Sequence, residues 1–222
     1  MRLILFDIDG TLLECGPQVR PILTDVLMEV FGRIGNIDRY DLSGRTDPRI
    51  ALDLLMEAGL SEQEILPRLP EVRAKYAVSL EERLDSGRMR LLPGVAEHLE
   101  ALAQRDDVVL GLVTGNWEPG ARTKLSRFDL NRYFGFGAFG CDAVDRADLP
   151  PVALERADRI LGRRFRPEET LIVGDTIHDV ACAKAHGIPV LAVATGSTPA
   201  EALRAAGADQ VVADLTAVRD WP

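Results

Sequence analysis

Two aspartates one residue apart close an apolar run near the start of the chain, in "LILFDIDGTLLE", residues 3–14. A lone turn aspartate is ordinary. Asp7 and Asp9, followed at once by Gly10 and Thr11, form a set with chemical potential. One carboxylate can attack phosphorus and form an aspartyl-phosphate, a part that falls to Asp7. A second can protonate the leaving oxygen and later activate water, a part that falls to Asp9. Gly10 permits a tight turn that leaves backbone N–H groups free to cradle an anion.

Two later apolar runs end in polar groups as well. "GLVTGN" supplies Thr114, Gly115 and Asn116, and "VGDTIHDV" supplies Asp175 and, four residues on, Asp179. Ligands of parallel sheets bind beyond the carboxyl ends of the strands. If these runs are neighbouring strands, four carboxylates and a hydroxyl are expected to converge. Buried together, they must share protons or bind a cation. An all-oxygen set without a His or Cys cluster favours a hard ion, magnesium. Cys15, Cys141 and Cys182 stand far apart in no CxxC pattern and read as free thiols in a reducing cytoplasm.

The elements that must position these residues alternate. Apolar strands are predicted at residues 3–6, 108–113, 170–173, 189–193 and 210–212, with a weaker one near 134–139. Between them lie helical stretches opened by Pro or Pro-Gly (from Pro93, Pro119, Pro150 and Pro199) or closed by Gly162, Gly187 and Gly207. Such alternation implies an α/β fold: a doubly wound, mostly parallel sheet with helices on both faces. About 100 residues separate the first strand from the second, whereas a crossover needs only a dozen or so. Nothing in that interval reads as a strand. It holds "VRPILTDVLMEVFG", "DPRIALDLLMEAG" and "SEQEILPRLPEVRAKYAVSLEERL", all helical, the last opened by a Ser61–Glu64 capping box. Residues 14–88 are therefore expected to form an inserted helical cap over an α/β core of residues 1–13 and 89–222. "GFGAFG", residues 135–140, matches a dinucleotide pattern, but no helix opens inside it, so it reads as a glycine-rich strand or bend.

The chain has 222 residues, 46% hydrophobic and 27% charged, with a formal net charge of -9. An acidic surface disfavours nucleic acid, and no apolar run is long enough for a membrane span. The N-terminus lacks a signal-peptide pattern.

Taken in order, these motifs resemble the haloacid dehalogenase superfamily of phosphatases. Asp7-Ile8-Asp9-Gly10-Thr11 stands as DxDGT, Thr114 as the Ser or Thr that ends the second-motif strand, and Asp175 with Asp179 as GDxxxD. The resemblance covers nearly the whole chain. It implies a Rossmann-like core, Asp7 as nucleophile and magnesium ligand, and Asp9 as acid/base lending its backbone carbonyl to the metal. It also implies Thr114 with the N–H groups of Gly115 and Asn116 around the phosphoryl oxygens, Asp175 on magnesium, and Asp179 in support of it. Members acting on carbon–halogen bonds lack the second aspartate, so Asp9 favours a phosphatase. The family's third-motif Lys is missing. Arg146 is the nearest cation and takes its place in this reading, whereas Lys124 is expected to lie along the helix after the second motif and is the poorer candidate. Arg45, in the cap loop "LSGRTDPRIA", is expected to meet an anionic substrate tail. The expected activity is magnesium-dependent hydrolysis of a small phosphorylated metabolite, phosphoglycolate on the resemblance, by a cytoplasmic monomer or homodimer. The alternatives are a mutase of the β-phosphoglucomutase type and a binding protein without turnover.

Overall fold

The computed structural model describes residues 1–221. Six parallel strands form the central sheet: β1 (Arg2–Phe6), β4 (Val108–Val113), β5 (Gly137–Ala138), β6 (Thr170–Gly174), β7 (Val190–Val193) and β8 (Gln210–Val212). Their spatial order is β5-β4-β1-β6-β7-β8. β1 is buried along all but its first residue, as an apolar strand covered on both faces must be. The chain winds outward from β1 in one direction and then in the other, so β1 lies at the switch point where a ligand crevice opens. Phe6 is level with Leu112 of β4 and Val173 of β6. Asp7, Thr114 and Asp175 therefore leave the sheet side by side.

The weak strand shrinks to Gly137–Ala138. A side chain at Gly137 would lie 2.6 Å from the Leu112 Cβ, so glycine is needed for β5 to approach β4. The GxGxxG match is thus a sheet edge and not a nucleotide loop.

The helices of the core follow the punctuation: α5 (Val95–Ala103), α6 (Glu118–Ser126), α7 (Leu149–Leu161), α8 (Ile177–Ala185) and α9 (Ala200–Ala205). The long interval holds α1 (Val19–Phe31), α2 (Asp47–Glu57), α3 (Glu62–Ile65) and α4 (Leu69–Arg83). The third helical stretch divides into α3 and α4, with Pro67 in a 3-10 turn between them and Pro70 in the first turn of α4. Ser61 N–H donates to Glu64 Oε2 at 2.8 Å, as the capping box requires.

The interval is not free of strand. β2 (Leu13–Glu14) and β3 (Arg90–Leu91) pair antiparallel, Leu13 opposite Leu91 and Glu14 opposite Arg90. This ribbon joins the two ends of the helical insertion. Two residues are too few to carry an alternation, so it leaves no pattern in the sequence. One apolar cluster runs from the sheet through α5 and α6 into α1, α2 and α4. At its centre Tyr76 of α4 meets Trp117 edge to face, with centroids 5.8 Å apart.

Candidate active site

The turn after β1 is built as its glycine demands. Gly10 has φ +81, and a Cβ there would lie 2.3 Å from Asp175 Oδ2. Gly196 closes the other side of the same carboxylate, which a Cβ there would overlap. Asp175 is thus held in a slot between two glycines, with Thr11 Oγ1 donating to its Oδ1 at 3.1 Å.

Asp7, Asp175 and Asp179 are buried, with carboxylate oxygens within 4.8 Å of one another. Burial lifts the Asp7 carboxyl to about 6, Arg146 opposing and the charges of Asp179 and Asp9 adding to the rise. Burial, then Asp179 and Asp7, push Asp175 to about 9. Three carboxylates stand here against one guanidinium, that of Arg146, so the cluster is short of positive charge. Asp7 Oδ1 is buried and receives no hydrogen bond. Both observations fit a hard cation among these oxygens.

Asp9 does not join the other three. Its side chain turns toward α6, where Oδ2 accepts from Lys124 Nζ at 2.7 Å and Asn116 Nδ2 at 2.8 Å. Burial pushes the Asp9 carboxyl up, but the Lys124 charge and these hydrogen bonds outweigh it and hold it below its ordinary value. The expected convergence of four carboxylates is therefore one of three, with the fourth kept apart by its own cation.

Arg146 reaches the cluster from the turn before α7. Its Nη2 lies 3.0 Å from Asp7 Oδ1, an ion pair without hydrogen-bond alignment, and donates to Asp179 Oδ1 at 2.5 Å. Its Nη1 donates to the Gly44 carbonyl of the insertion at 3.1 Å. Asp179 is fully engaged: its Oδ2 accepts from Thr176 N at 3.0 Å and Thr176 Oγ1 at 2.7 Å, closing a capping box at the start of α8.

Thr114 ends β4 with its hydroxyl oxygen accepting from Asn116 Nδ2 at 2.9 Å, which leaves the hydroxyl proton available. Among the described residues, the amides of Asp9 and Gly115 have no acceptor. These are the donors a phosphoryl group needs.

The loop of residues 43–47 covers the site. Asp47 N–H donates to the Gly115 carbonyl at 2.8 Å, and Asp47 Oδ2 accepts from Trp117 N–H at 2.7 Å. Thr46 Oγ1 donates to the Val144 carbonyl. Ser43 and Ser197 hydroxyls meet at 3.0 Å. Beneath lies a cavity of about 300 Å³, with Asp7, Asp9 and Arg146 on its floor and Leu23, Arg45 and Ile50 among its upper lining. The Arg45 guanidinium stands 5.3 Å over the Tyr40 ring and 3.7 Å from Asp53 Oδ2, so an anionic ligand there would compete with Asp53.

Sequence reasoning undervalued Lys124. Its side chain is 3% exposed, and its Nζ also donates to Asn116 Oδ1 at 2.6 Å. A signal was present: Ala121 and Leu125 are apolar, and helical spacing puts Lys124 on the same face. Asp47 was missed as well, since its contact with Trp117 spans two distant segments.

Comparison with known proteins bears on the family and the fold. The phosphoglycolate phosphatase 1 of Pseudomonas aeruginosa is 31% identical over 202 residues, 88% of this chain and 70% of that protein. The plasmid phosphoglycolate phosphatase of Cupriavidus necator is 29% identical over 97% of this chain and 90% of its own. Among solved structures, CbbY from Rhodobacter sphaeroides in complex with phosphate superposes with TM-score 0.72 at 19% identity, covering 98% of this chain and 96% of that one. A hydrolase from Pseudomonas syringae gives 0.69 at 21%, covering 96% and 93%. These two establish likeness of fold. The model of the family described as haloacid dehalogenase-like hydrolase matches residues 4–193, most of the length. With that match, the chain belongs to the haloacid dehalogenase-like hydrolases.

Proposed function

We propose that this enzyme hydrolyses a small phosphomonoester through an aspartyl-phosphate on Asp7, with magnesium as cofactor. The observation that carries the reading is the Asp7 carboxylate: buried at the edge of the cavity, without a hydrogen-bond donor on Oδ1, and faced by the Arg146 guanidinium. A nucleophile needs such a free oxygen and a neighbouring cation to offset the charge of an incoming phosphate.

In this reading an Asp7 oxygen forms a bond to phosphorus as the ester P–O bond breaks, and Asp9 gives its proton to the departing oxygen. The resting Asp9 is a carboxylate; the phosphate dianion arriving beside it favours the protonated form. Water then attacks phosphorus, Asp9 takes its proton, and Asp7 leaves as a free carboxylate with inorganic phosphate released. The Thr114 hydroxyl and the amides of Gly115 and Asp9 receive the phosphoryl oxygens, while Asn116 holds Thr114 and Asp9 in place. Asp7, Asp175 and the backbone carbonyl of Asp9 would hold magnesium. Asp179, with both oxygens engaged, supports that set and fixes Arg146. When bound, the ion supplies charge neutralisation at the phosphoryl group.

The insertion of residues 14–88 acts as a cap on a core of residues 1–13 and 89–222, excluding bulk water when closed. The Pseudomonas and Cupriavidus relatives carry the name phosphoglycolate phosphatase, and phosphoglycolate is the first substrate to try. Its carboxylate would have to draw Arg45 away from Asp53. No helix among the described residues is long and apolar enough to cross a membrane. The reading is of a cytoplasmic monomer or homodimer acting on a small metabolite.

The test is phosphate release from a panel of phosphomonoesters, with magnesium and with chelator, beside Asp7→Asn. Release that needs both magnesium and Asp7 supports the reading. Interconversion of sugar phosphates with little net phosphate would replace it with a mutase. No turnover of any ester would leave a binding protein on a hydrolase fold.

A further inference from the structure

Two cations are buried at this site, and the proposed chemistry uses only one. We propose that Lys124 is a positioning residue for Asp9, fixing which of its oxygens meets the leaving group. The inference rests on the phosphatase reading above.

The geometry is asymmetric. Asp9 Oδ2 is held by two donors, Lys124 Nζ and Asn116 Nδ2. Asp9 Oδ1 has only the Cys15 thiol, a weak donor at 3.7 Å. The Asp9 side chain is 40% exposed, while that of Lys124 is 3% exposed. One oxygen is therefore anchored against α6 and the other is free toward the cavity. Asn116 Oδ1 in turn accepts from Lys124 at 2.6 Å. The ammonium thus fixes both Asp9 and the amide that shares its work, and Asn116 also binds the Thr114 hydroxyl at 2.9 Å.

Packing alone gives no reason for a lysine here. Gly120, Ala121 and Leu125 are buried on the same helix, and a Leu or Met would complete that face. Burying an ammonium is costly unless it is paired, and pairing it restores at best most of that cost. The same face would be more easily filled by an apolar residue, so the charge has another use.

The use can be read by varying the leaving group. An acid that is well placed matters greatly for an alkyl phosphate, whose alkoxide leaves poorly, and little for 4-nitrophenyl phosphate, whose phenolate leaves unaided. The ratio kcat/KM reports the steps up to phosphoryl transfer, so it isolates this effect from hydrolysis of the intermediate. Lys124→Met keeps the length of the side chain and removes the ammonium. The expected result is a fall of about 100-fold in kcat/KM on alkyl phosphates and less than about threefold on 4-nitrophenyl phosphate. Lys124→Gln retains a donor, gives the same pattern at smaller amplitude, and serves if the Met variant does not fold. Equal losses on both esters would show that Lys124 holds the site together without aiming Asp9, and would overturn the inference. Undiminished kcat/KM on both would overturn it too. Wild-type enzyme that turns over neither ester would instead refute the phosphatase reading on which it stands.

Discussion

Replacing Arg146 by Met tests the electrostatics of the site most directly. The guanidinium is 7% exposed and faces the buried carboxylates of Asp7 and Asp179 at 3.0 and 2.5 Å. Met fills much of its volume and leaves three carboxylates within 4.8 Å of each other without it. Breaking a buried ion pair from one side costs about 3–5 kcal/mol. For a chain of this size each kcal/mol moves Tm by about 2–4 °C, so the melting point should fall by roughly 6–20 °C at pH 8. The loss has a definite pH dependence. Asp7 already sits at about 6 in the folded chain against 3.8 ordinarily, and without Arg146 it rises further. A carboxyl whose folded pKa is raised destabilises fully above that pKa and ceases to as it protonates. The gap between variant and parent should therefore narrow as pH falls.

Turnover should fall by about 10²–10³, the usual loss when a charge-stabilising donor is removed. Arg146→Lys restores one charge but cannot serve both Asp7 and Gly44, since these are reached by separate nitrogens of the fork. It should recover stability more than activity. Thermal melts across pH and steady-state phosphate release decide the matter. An Arg146→Met enzyme with kcat within about threefold of the parent would refute the assignment of Arg146 as the cation of the phosphoryl site.

Three further perturbations bear on the same site. Asp47 is lifted by burial to about 6 from 3.8, so its ionised form costs folding stability of about 3 kcal/mol above about pH 6, a cost that fades toward about pH 4; Asp47→Asn keeps the acceptor for Trp117 and should melt higher than the parent at pH 8, with the difference closing in acid. A Cβ at Gly115 would stand 2.1 Å from the Arg45 carbonyl oxygen, so Gly115→Ala should hinder seating of the 43–47 loop; at about 1–3 kcal/mol for such overpacking, Tm should fall by roughly 2–12 °C and kcat/KM should drop as well. Magnesium at a hundred times its Kd should add about 2.7 kcal/mol of stability and so raise Tm by roughly 5–11 °C, and Asp175→Asn should abolish that rise, as differential scanning fluorimetry with and without chelator would record.

What the sequence disclosed and what it withheld divide along the range of the interactions. The ends of β1, β4 and β6 were legible because a buried parallel strand is a continuous apolar run, and a polar residue that ends it stands out. Helix limits were legible because Pro and Gly act within a turn of where they stand. The β2–β3 ribbon was not, since Glu14 and Arg90 are far apart in the chain and each strand is two residues long. Nor was the docking of Asp47 on Gly115 and Trp117, where the partners are backbone groups that no residue type announces. Arg146 could be nominated from the family resemblance, as the cation nearest the missing third-motif Lys, but its bond to Gly44, which ties the cation to the insertion, depends on how the chain closes over the sheet.

Asp7 and Asp9 show most clearly what three dimensions add. In sequence they are near twins, one residue apart in the same turn. In the fold they face opposite ways. Asp7 lies among carboxylates and is lifted to about 6, while Asp9 is held down by Lys124. Carboxyls driven apart in this way can take different parts in one reaction. Arg146 came from the turn before α7 and Lys124 from α6, so each aspartate has a cation of its own from a different element. The DxD spacing names two acids; in the proposed reading, nucleophile and acid/base are told apart by surroundings, Asp7 buried among carboxylates and Asp9 held against Lys124. Removing the cation that holds Asp9 down, with Lys124→Met alone, should let Asp9 rise toward Asp7, and carboxyl-resolved NMR titration of the folded variant would show whether their separation narrows.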